Sequence, residues 1–269
     1  MNMTANAEEK NLSVLFARLD DLHRSARQGV LGVSCFLSPR ELHFARQHLK
    51  QSGAAEQFFS WGGYDDAERQ KIYILPEYME GICDTSSFEE YGYDDGIAAL
   101  CIKGSGYKKL THRDFLGSVF GLGLQRSVIG DIFVSGDDEP SATVICEKTV
   151  AQFICDTLCK VGSDTVSVKM KDILEIAVPE RKFLHITDTL ASARADCIVA
   201  AVCSLSREKA RVAVVNGLLE IDHECCERPD RILVAPCTVT VKGYGKFRIN
   251  SLSDKTKKGR LRLDADKYI

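Results

Sequence analysis

Residues 238–249 read Thr-Val-Thr-Val-Lys-Gly-Tyr-Gly-Lys-Phe-Arg-Ile, which predicts a β-hairpin. Apolar and polar side chains alternate on both sides of the Gly243-Tyr244-Gly245 turn, and Arg-Leu-Arg-Leu at 260–263 repeats the alternation. Successive side chains of a strand point to opposite faces. One face therefore fills a small core with Val239, Val241, Phe247, Ile249, Leu261 and Leu263. The other face carries Lys242, Lys246, Arg248, Arg260 and Arg262. This pattern predicts a basic sheet face; an ordinary solvated surface is the open alternative.

The residues before the hairpin predict two helices. The first begins at Thr187 or Asp188 and continues to about Cys203. Ser206 is a helix cap for a second helix over 207–215, which Asn216-Gly217 ends. Together with the strands, these helices predict a small C-terminal α/β domain over 183–269.

The middle of the chain, 81–178, alternates between strand and helix patterns. Strands are predicted at 96–102, 129–134, 142–146 and 165–170, and helices at 111–122 and 150–161. The order β-α-β-β-α-β is the ferredoxin-like arrangement that RNA-recognition motifs use. Such motifs stack bases on aromatic residues of the two central strands. Here those strands, 97–101 and 143–146, hold no Phe, Tyr or Trp, so the stacking platform is missing.

The first 80 residues predict a helical and hairpin domain. An apolar stripe indicates a helix over 8–28, and Ser38-Pro39-Arg40-Glu41 predicts a capping box for a helix ending near Gln51. Strands at 57–61 and 71–75 flank a polar loop at 62–66. The predicted fold class is therefore α+β, with three domains over 1–80, 81–178 and 183–269.

Composition excludes several classes of protein. With 45% hydrophobic and 27% charged residues among 269, the chain is neither disordered nor fibrous. Its eleven cysteines form no C-x-x-C pair, and residues 1–16 lack a signal-peptide pattern, which favours a reducing cytoplasm. No apolar run approaches the roughly 20 residues that span a bilayer, so no membrane contact is expected.

Charge is distributed unequally along the chain. Residues 1–185 hold 20 Lys and Arg against 27 Asp and Glu, a net charge of −7. Residues 186–269 hold 15 against 11, a net charge of +4. This asymmetry indicates a polyanion-binding module joined to a more acidic body. A solvated basic tail is the alternative.

Patterns typical of enzymes are weak. The six histidines show no H-E-x-x-H spacing, and neither Cys155-x-x-x-Cys159 nor Cys225-Cys226 has the second pair that a zinc site needs. The glycines near 104 and 121 lack a dinucleotide-loop context. The acidic pairs at 94–95 and 137–138 indicate solvated loops. No catalytic residue, metal or cofactor is predicted.

Several motifs resemble known families. Arg194-Ala195-Asp196 and Ser206-Arg207-Glu208-Lys209-Ala210 resemble the Arg-x-Asp and Ser-Arg-x-x-Ala motifs of S4-type RNA-binding domains, and 217–221 resembles the strand that follows them. Four further segments are similar to the YlmH family: 113–118, 129–132, 242–247 and 256–260. The matches together run from about Phe36 to the C-terminus. Asp222 departs from the family's usual Asn, and Pro236-Cys237 from its Gly-Asp.

The resemblance implies RNA binding without catalysis. It implies a ribosome-associated factor linked to the large subunit that carries an obstructed peptidyl-tRNA, in quality control of stalled translation. The family is encoded beside bacterial cell-division genes. The extra carboxylate of Asp222 would repel phosphate, which would keep that strand end away from RNA.

The residues themselves are suited to phosphate. Helix N-termini offer backbone N–H groups and a partial positive charge, and Ser206 adds a hydroxyl there. Arg207 and Arg211 lie one turn apart, and guanidinium groups match phosphate geometry. Arg194 fits either an RNA contact or a structural ion pair, and Tyr244 either stacks on a base or packs over the hairpin. The predicted RNA-binding set is Arg194, Asp196, Ser206, Arg207, Lys209, Arg211, Lys242, Tyr244, Lys246, Arg248, Lys255, Lys257, Lys258, Arg260 and Arg262.

The function predicted from these observations is a cytoplasmic, monomeric factor that binds structured ribosomal RNA, tRNA or both. Its target is RNA shape rather than base sequence, and DNA is not expected as a partner. Two alternatives stay open: an RNA-modifying enzyme that the C-terminal domain targets, and a protein adaptor in cell division.

Overall fold

The structure is a computed structural model that describes residues 2–54, 57–135, 141–253 and 259–269. It divides into two compact units, Met1–Pro179 and Glu180–Ile269. The predicted ranges 1–80 and 81–178 both lie in the first unit, and the boundary between them stays a prediction. Helices and antiparallel sheets occur in both units, in agreement with an α+β class.

Two helices and a small sheet form the N-terminal part of the first unit. They are α1 (Asn2–Arg27), β1 (Gly32–Val33), α2 (Pro39–Gln51), β2 (Phe58–Trp61) and β3 (Lys71–Ile74). The strands are antiparallel in the order β1-β3-β2. The predicted capping box at Ser38 is confirmed: its Oγ accepts from the Glu41 N–H at 3.3 Å, and the Glu41 carboxylate accepts from the Ser38 N–H at 2.8 Å.

A five-stranded antiparallel sheet forms the rest of the first unit. Its elements are β4 (Ile97–Gly104), α3 (His112–Gly121), β5 (Ile129–Ser135), β6 (Ser141–Glu147), α4 (Lys148–Thr157), β7 (Lys160–Val161) and β8 (Asp164–Lys171). The strand order is β5-β6-β4-β8-β7. The predicted element order is confirmed, with β7 added where the sequence predicts the end of a helix. Phe115 of α3 and Ile154 of α4 pack on one sheet face, against Leu100 and Val144.

The N-terminal part covers the opposite face of this sheet. Phe36, Tyr64 and Ala67 share one buried cluster with Ile97, Ala99 and Ile145 of the two central strands. A Cβ placed on Gly63, whose φ is +94°, would approach Ile173 Cδ1 to 2.7 Å. The predicted polar loop at 62–66 is therefore buried over residues 62–64 and exposed over residues 65–66.

Asp131 of β5 fastens this contact. Its carboxylate accepts hydrogen bonds from the Tyr64 hydroxyl at 2.5 Å and from the backbone N–H groups of Glu68 at 2.7 Å and Arg69 at 3.2 Å. The Arg69 guanidinium donates to the carbonyl oxygens of Ile129 and Arg126, each at 2.8 Å. Two charged side chains thus satisfy backbone and hydroxyl groups on both sides of the contact.

The second unit is a six-stranded antiparallel sheet with two helices. Its elements are β9 (Phe183–Leu190), α5 (Ala195–Val202), α6 (Arg207–Val215), β10 (Leu219–Ile221), β11 (Glu224–Cys225), β12 (Cys237–Val241), β13 (Gly245–Ser253) and β14 (Leu261–Tyr268). The strand order is β11-β10-β12-β13-β14-β9. The predicted hairpin is confirmed, with Val239 opposite Phe247.

The predicted helix from 187 or 188 to 203 is wrong in its first half. Thr187 and Asp188 lie in β9, which pairs with β14 along its whole length, and α5 begins only at Ala195. The β-branched residues Ile186, Thr187 and Thr189 favour a strand. Arg194 is consequently the cap residue before α5 and does not lie within a helix.

The core of the second unit lies between the helices and one sheet face. Ile198 of α5 and Val214 of α6 pack against the sheet. The predicted core residues Val239, Val241, Phe247, Ile249 and Leu263 are buried there, and Leu261 is partly buried against them. The alternation read from the hairpin therefore predicts the core face correctly.

Candidate nucleic-acid interface

A buried carboxylate holds two arginines together at the starts of α5 and α6. The Asp196 side chain is only 2% exposed. The Arg194 guanidinium donates to both of its oxygens, each at 3.0 Å, and Arg207 Nε lies 3.7 Å from Oδ2. The two arginine side chains are themselves 35% and 65% exposed. Three residues from the two predicted motifs therefore form one cluster, which we call the arginine pair with its carboxylate.

Asp196 remains ionised at neutral pH. Burial alone would raise the pKa of its carboxyl, but hydrogen bonds from Arg194 and Cys197 and the charges of Arg194 and Arg207 bring that pKa below its usual range. The arginine pair with its carboxylate thus carries one net positive charge. Because Asp196 is buried, its carboxylate contacts the arginines and not the solvent. Its membership of the RNA-binding set stays a prediction.

The first two turns of α6 present further cations. Ser206 caps the helix, since its Oγ accepts from the Lys209 N–H at 3.3 Å. Lys209 and Arg211 are exposed. Arg211 Nη1 lies 3.8 Å from Glu208 Oε1, a spacing that leaves both side chains in solvent. Such exposed pairs contribute little to stability, so Arg211 retains its freedom to meet another anion.

The N-terminus of α5 is closed. The N–H of Ala195 donates to the Arg231 carbonyl at 2.8 Å, and the N–H of Asp196 donates to the Pro229 carbonyl at 3.1 Å. The helix N-terminus predicted to suit phosphate is that of α6, which Ser206 caps, and this closure concerns only α5. The predicted cations of this region are the arginine side chains and those of α6.

The outer face of the second sheet is mixed in charge. Lys246, Arg248 and Arg262 point outward as predicted, because their neighbours along β13 and β14 are in the core. The same alternation places three carboxylates on this face, those of Glu220, Asp264 and Asp266. Lys242 Nζ also lies 3.3 Å from Glu220 Oε1. The predicted cations lie on this face, but the face is mixed and not uniformly basic, because β14 continues to Tyr268 and adds two of these carboxylates.

Asp266 is occupied within this face. Its carboxylate accepts from Asn250 Nδ2 at 2.7 Å and lies 2.9 Å from His185 Nδ1. The Asn250 hydrogen bond, together with that of His185, lowers the pKa of Asp266, and the bond to Asp266 raises the pKa of His185. The face therefore neutralises much of its own charge.

An aromatic pair that the sequence did not indicate lies at one end of the face. Lys246 Nζ is 5.0 Å from the ring centre of Tyr268, which contacts Phe183 at 5.2 Å. The alternation along β9 and β14 predicts this pairing only once β9 is known to be a strand.

The remaining predicted residues are in the hairpins. Tyr244 is half-exposed between Gly243 and Gly245, whose φ angles are +87° and +128°. Arg260 is exposed next to β14. Lys255, Lys257 and Lys258 lie outside the described residues.

Asp222 has a structural role. Its carboxylate accepts from the Thr238 N–H at 2.7 Å, and its own N–H donates to the Thr238 carbonyl at 2.8 Å. Asp222 thus links the residue after β10 to β12.

The paired acidic residues, the cysteines and the helices are the features that bear on a metal-binding or membrane protein. No group of three or more His, Cys, Asp and Glu side chains that could hold a metal ion occurs within the described ranges. All eleven cysteines are free thiols. Asp94 contacts Lys148 Nζ at 2.5 Å, while Asp137 and Asp138 lie outside the described residues. Among the helices that the structure describes, none is long and apolar enough to cross a membrane.

The sheet of the first unit cannot act as an ordinary base-stacking platform. The faces of β4 and β6 that such a platform would use are covered, since Ile97, Ala99 and Ile145 are buried under the N-terminal part. The sequence indicates the missing aromatic residues, and the structure adds that the central strands are closed to a base.

Comparisons with known proteins cover both units. A family model described as "YlmH, N-terminal" matches residues 15–79, and one described as "Putative RNA-binding domain in YlmH" matches residues 96–175. A protein of Bacillus subtilis (strain 168) named ribosome-associated protein quality control protein P2 is 29% identical over 228 residues, which are 85% of this chain and 84% of that protein. The solved structure of the cell division protein ylmH from Streptococcus pneumoniae aligns with a TM-score of 0.46 at 21% identity, over 66% of this chain and 97% of the other.

Proposed function

Because the chain belongs to the YlmH family, we propose that it is a non-catalytic RNA-binding factor that acts on the ribosome. The similarity to a ribosome-associated quality control protein of Bacillus subtilis supports this role. In the finer form of the proposal, the second unit is an S4-type domain that reads structured ribosomal RNA or tRNA. The first unit contains an RRM-like sheet, and the target is the large subunit with an obstructed peptidyl-tRNA. The protein acts as a cytoplasmic monomer.

One observation carries the proposal: the arginine pair with its carboxylate adjoins the cations in the first two turns of α6. Asp196 orients the Arg194 guanidinium by two hydrogen bonds and lies 3.7 Å from Arg207 Nε. Arg211 follows Arg207 by one turn on the same side of α6, and Lys209 is exposed near the start of that helix. Guanidinium groups of fixed orientation suit the phosphates of a folded RNA, which is read through its backbone and 2′-hydroxyls. The mixed outer sheet face contributes less, because it neutralises its own cations.

Co-sedimentation with purified large ribosomal subunits across a salt series tests the proposal. The variant R207E/K209E/R211E is expected to bind far more weakly than the wild type, with a salt slope smaller by roughly 2 to 3, since each phosphate contact contributes about 0.7 to 0.9. The matched control K10E/R24E/R27E makes the same charge change on exposed positions of α1.

The control variant is expected to bind like the wild type. If both variants lose the same amount of subunit binding, the loss results from net charge alone. If R207E/K209E/R211E binds like the wild type, the RNA site does not include these three residues. Absence of wild-type binding at low salt would reject the ribosome and favour the adaptor. Modified nucleosides after incubation with RNA would indicate the enzyme.

A further inference from the structure

The first unit has a lysine-rich surface on the part of its sheet that the N-terminal residues leave open. Val161, Val166 and Val168 of β7 and β8 pack on the helix side of the sheet. The alternation of side chains therefore places Lys160, Lys169 and Lys171 on the opposite side, together with Lys103 at the end of β4. All four lysines are exposed. We call this set the open lysine face.

The strand register brings these lysines together. Lys169 lies opposite Cys101, and Lys103 lies opposite Ser167, so Lys103 and Lys169 are diagonal neighbours across the β4–β8 pair. Such neighbours are roughly 7 to 8 Å apart. On the adjoining strand β7, Lys160 lies opposite Thr165 of β8. Lys171 lies opposite Ala99, so the four lysines share one face of the neighbouring strands β4, β8 and β7.

Carboxylates are absent from this part of the face among the described strand residues. Its other members are Cys101, Thr165 and Ser167. The two carboxylates on the same side of the sheet, Asp131 and Glu147, belong to the covered part, where they contact Arg69 and Lys71. A cationic surface of this kind stands out in a segment whose net charge is −7.

An exposed aromatic ring lies in the loop that follows Lys103 and the end of β4. The loop that leaves β4 is fastened to the start of β8, because the Ser105 N–H donates to the Asp164 carboxylate at 3.1 Å. Tyr107 follows in this loop with 90% of its surface exposed, and Lys108 next to it is also exposed. Proteins that bind single-stranded nucleic acid combine such a ring with cations that follow the backbone.

We infer that the open lysine face and Tyr107 form a second RNA-binding surface, which takes the phosphate backbone of a single-stranded segment. This inference extends the proposed function and shares its premise that the chain binds RNA. Residues 96–175 match a family model described as a putative RNA-binding domain, yet their central strands are covered. The open lysine face gives this part of the chain another surface for RNA. The lysines follow the backbone, and the tyrosine ring stacks on a base without selecting its identity.

Fluorescence anisotropy with a labelled polyuridine of about 12 nucleotides tests this surface in the full-length chain. The variant K103Q/K160Q/K169Q/K171Q is expected to bind at least tenfold more weakly at about 100 mM KCl, with a salt slope smaller by roughly 3. Y107A is expected to bind roughly fivefold more weakly, whereas Y107F keeps the ring and the affinity. The control K10Q/R24Q/R27Q/K50Q removes four exposed cations from α1 and α2 of the same unit.

The outcomes separate the inference from the proposed function. If R207E/K209E/R211E no longer binds ribosomal subunits but still binds polyuridine, the two surfaces are distinct and the inference is supported. If the open-face variant and its control bind polyuridine equally, or the wild type does not bind it at low salt, the inference is overturned. The subunit assay then still decides the proposed function, and the open lysine face would suit an acidic protein.

Discussion

Replacing Asp131 by alanine is expected to lower the free energy of unfolding of the first unit by about 3 kcal/mol. The change removes the acceptor of hydrogen bonds from the Tyr64 hydroxyl and from the N–H groups of Glu68 and Arg69. Each buried donor left without a partner costs roughly 1 to 3 kcal/mol. Asp131 is itself partly exposed, so water replaces some of the loss and the expected total stays below the sum.

The chain contains its own reporter for this measurement. Trp61 is the single tryptophan. It packs against the buried cluster that Phe36 and Tyr64 form with Ile97 and Ile145 of the sheet. Denaturant unfolding followed by tryptophan fluorescence therefore reports the first unit. D156A is the matched control, because that carboxylate accepts one exposed hydrogen bond from Gln152 on α4 and should change stability by less than about 0.5 kcal/mol. Coincident midpoints for D131A and D156A would contradict the role given to Asp131.

Local signals predict the elements that are determined within a few residues of themselves. Ser206 and the Asn216-Gly217 pair bound α6 correctly, because capping and helix termination depend on neighbouring side chains and backbone. The Gly-Tyr-Gly turn likewise defines the β12–β13 hairpin, whose alternation predicts the core face. The two arginine motifs identify the residues that form the arginine pair with its carboxylate, although they do not indicate that Asp196 is buried.

Elements that depend on partners far away in the chain are not predicted by local sequence patterns. Strand β9 forms because β14, more than 70 residues later, offers an unpaired edge. The loop at 62–66 looks polar, yet its first half is buried because Asp131 supplies the partner for Tyr64 from 67 positions away. The outer face of the second sheet looks basic until the full length of β14 adds Asp264 and Asp266. In each case tertiary pairing overrides the local pattern.

Asp196 offers a test in which two explanations predict opposite signs. Replacing it by alanine removes a negative charge beside the proposed phosphate site, so charge alone predicts tighter binding to large ribosomal subunits. The structure predicts weaker binding, by about tenfold, because Arg194 and Arg207 lose the carboxylate that orients them. Ordering each long side chain costs roughly 0.5 to 1.5 kcal/mol, which the wild type has already spent on folding.

Co-sedimentation of D196A at fixed salt measures this sign, with D230A as control. Asp230 is an exposed carboxylate in the same unit that pairs with Arg228, so its removal changes the net charge equally. D230A is expected to bind as tightly as the wild type or slightly more tightly. Tighter binding by D196A would show that Asp196 acts through its charge alone and would reject its positioning role.

Acidification provides an independent check of the same carboxylate. The pKa of Asp196 lies below its usual value in the folded chain. Its contribution to stability is therefore complete above the unfolded value of about 3.9 and is lost as the pH falls through the lower folded value. Hydrogen exchange of the β13 amides should show the wild type losing protection over that acidic range. D196A should not show this loss of protection at acidic pH. Between about pH 5 and pH 8 its protection should differ from that of the wild type by a constant amount, because the wild-type carboxylate stays ionised over that whole range.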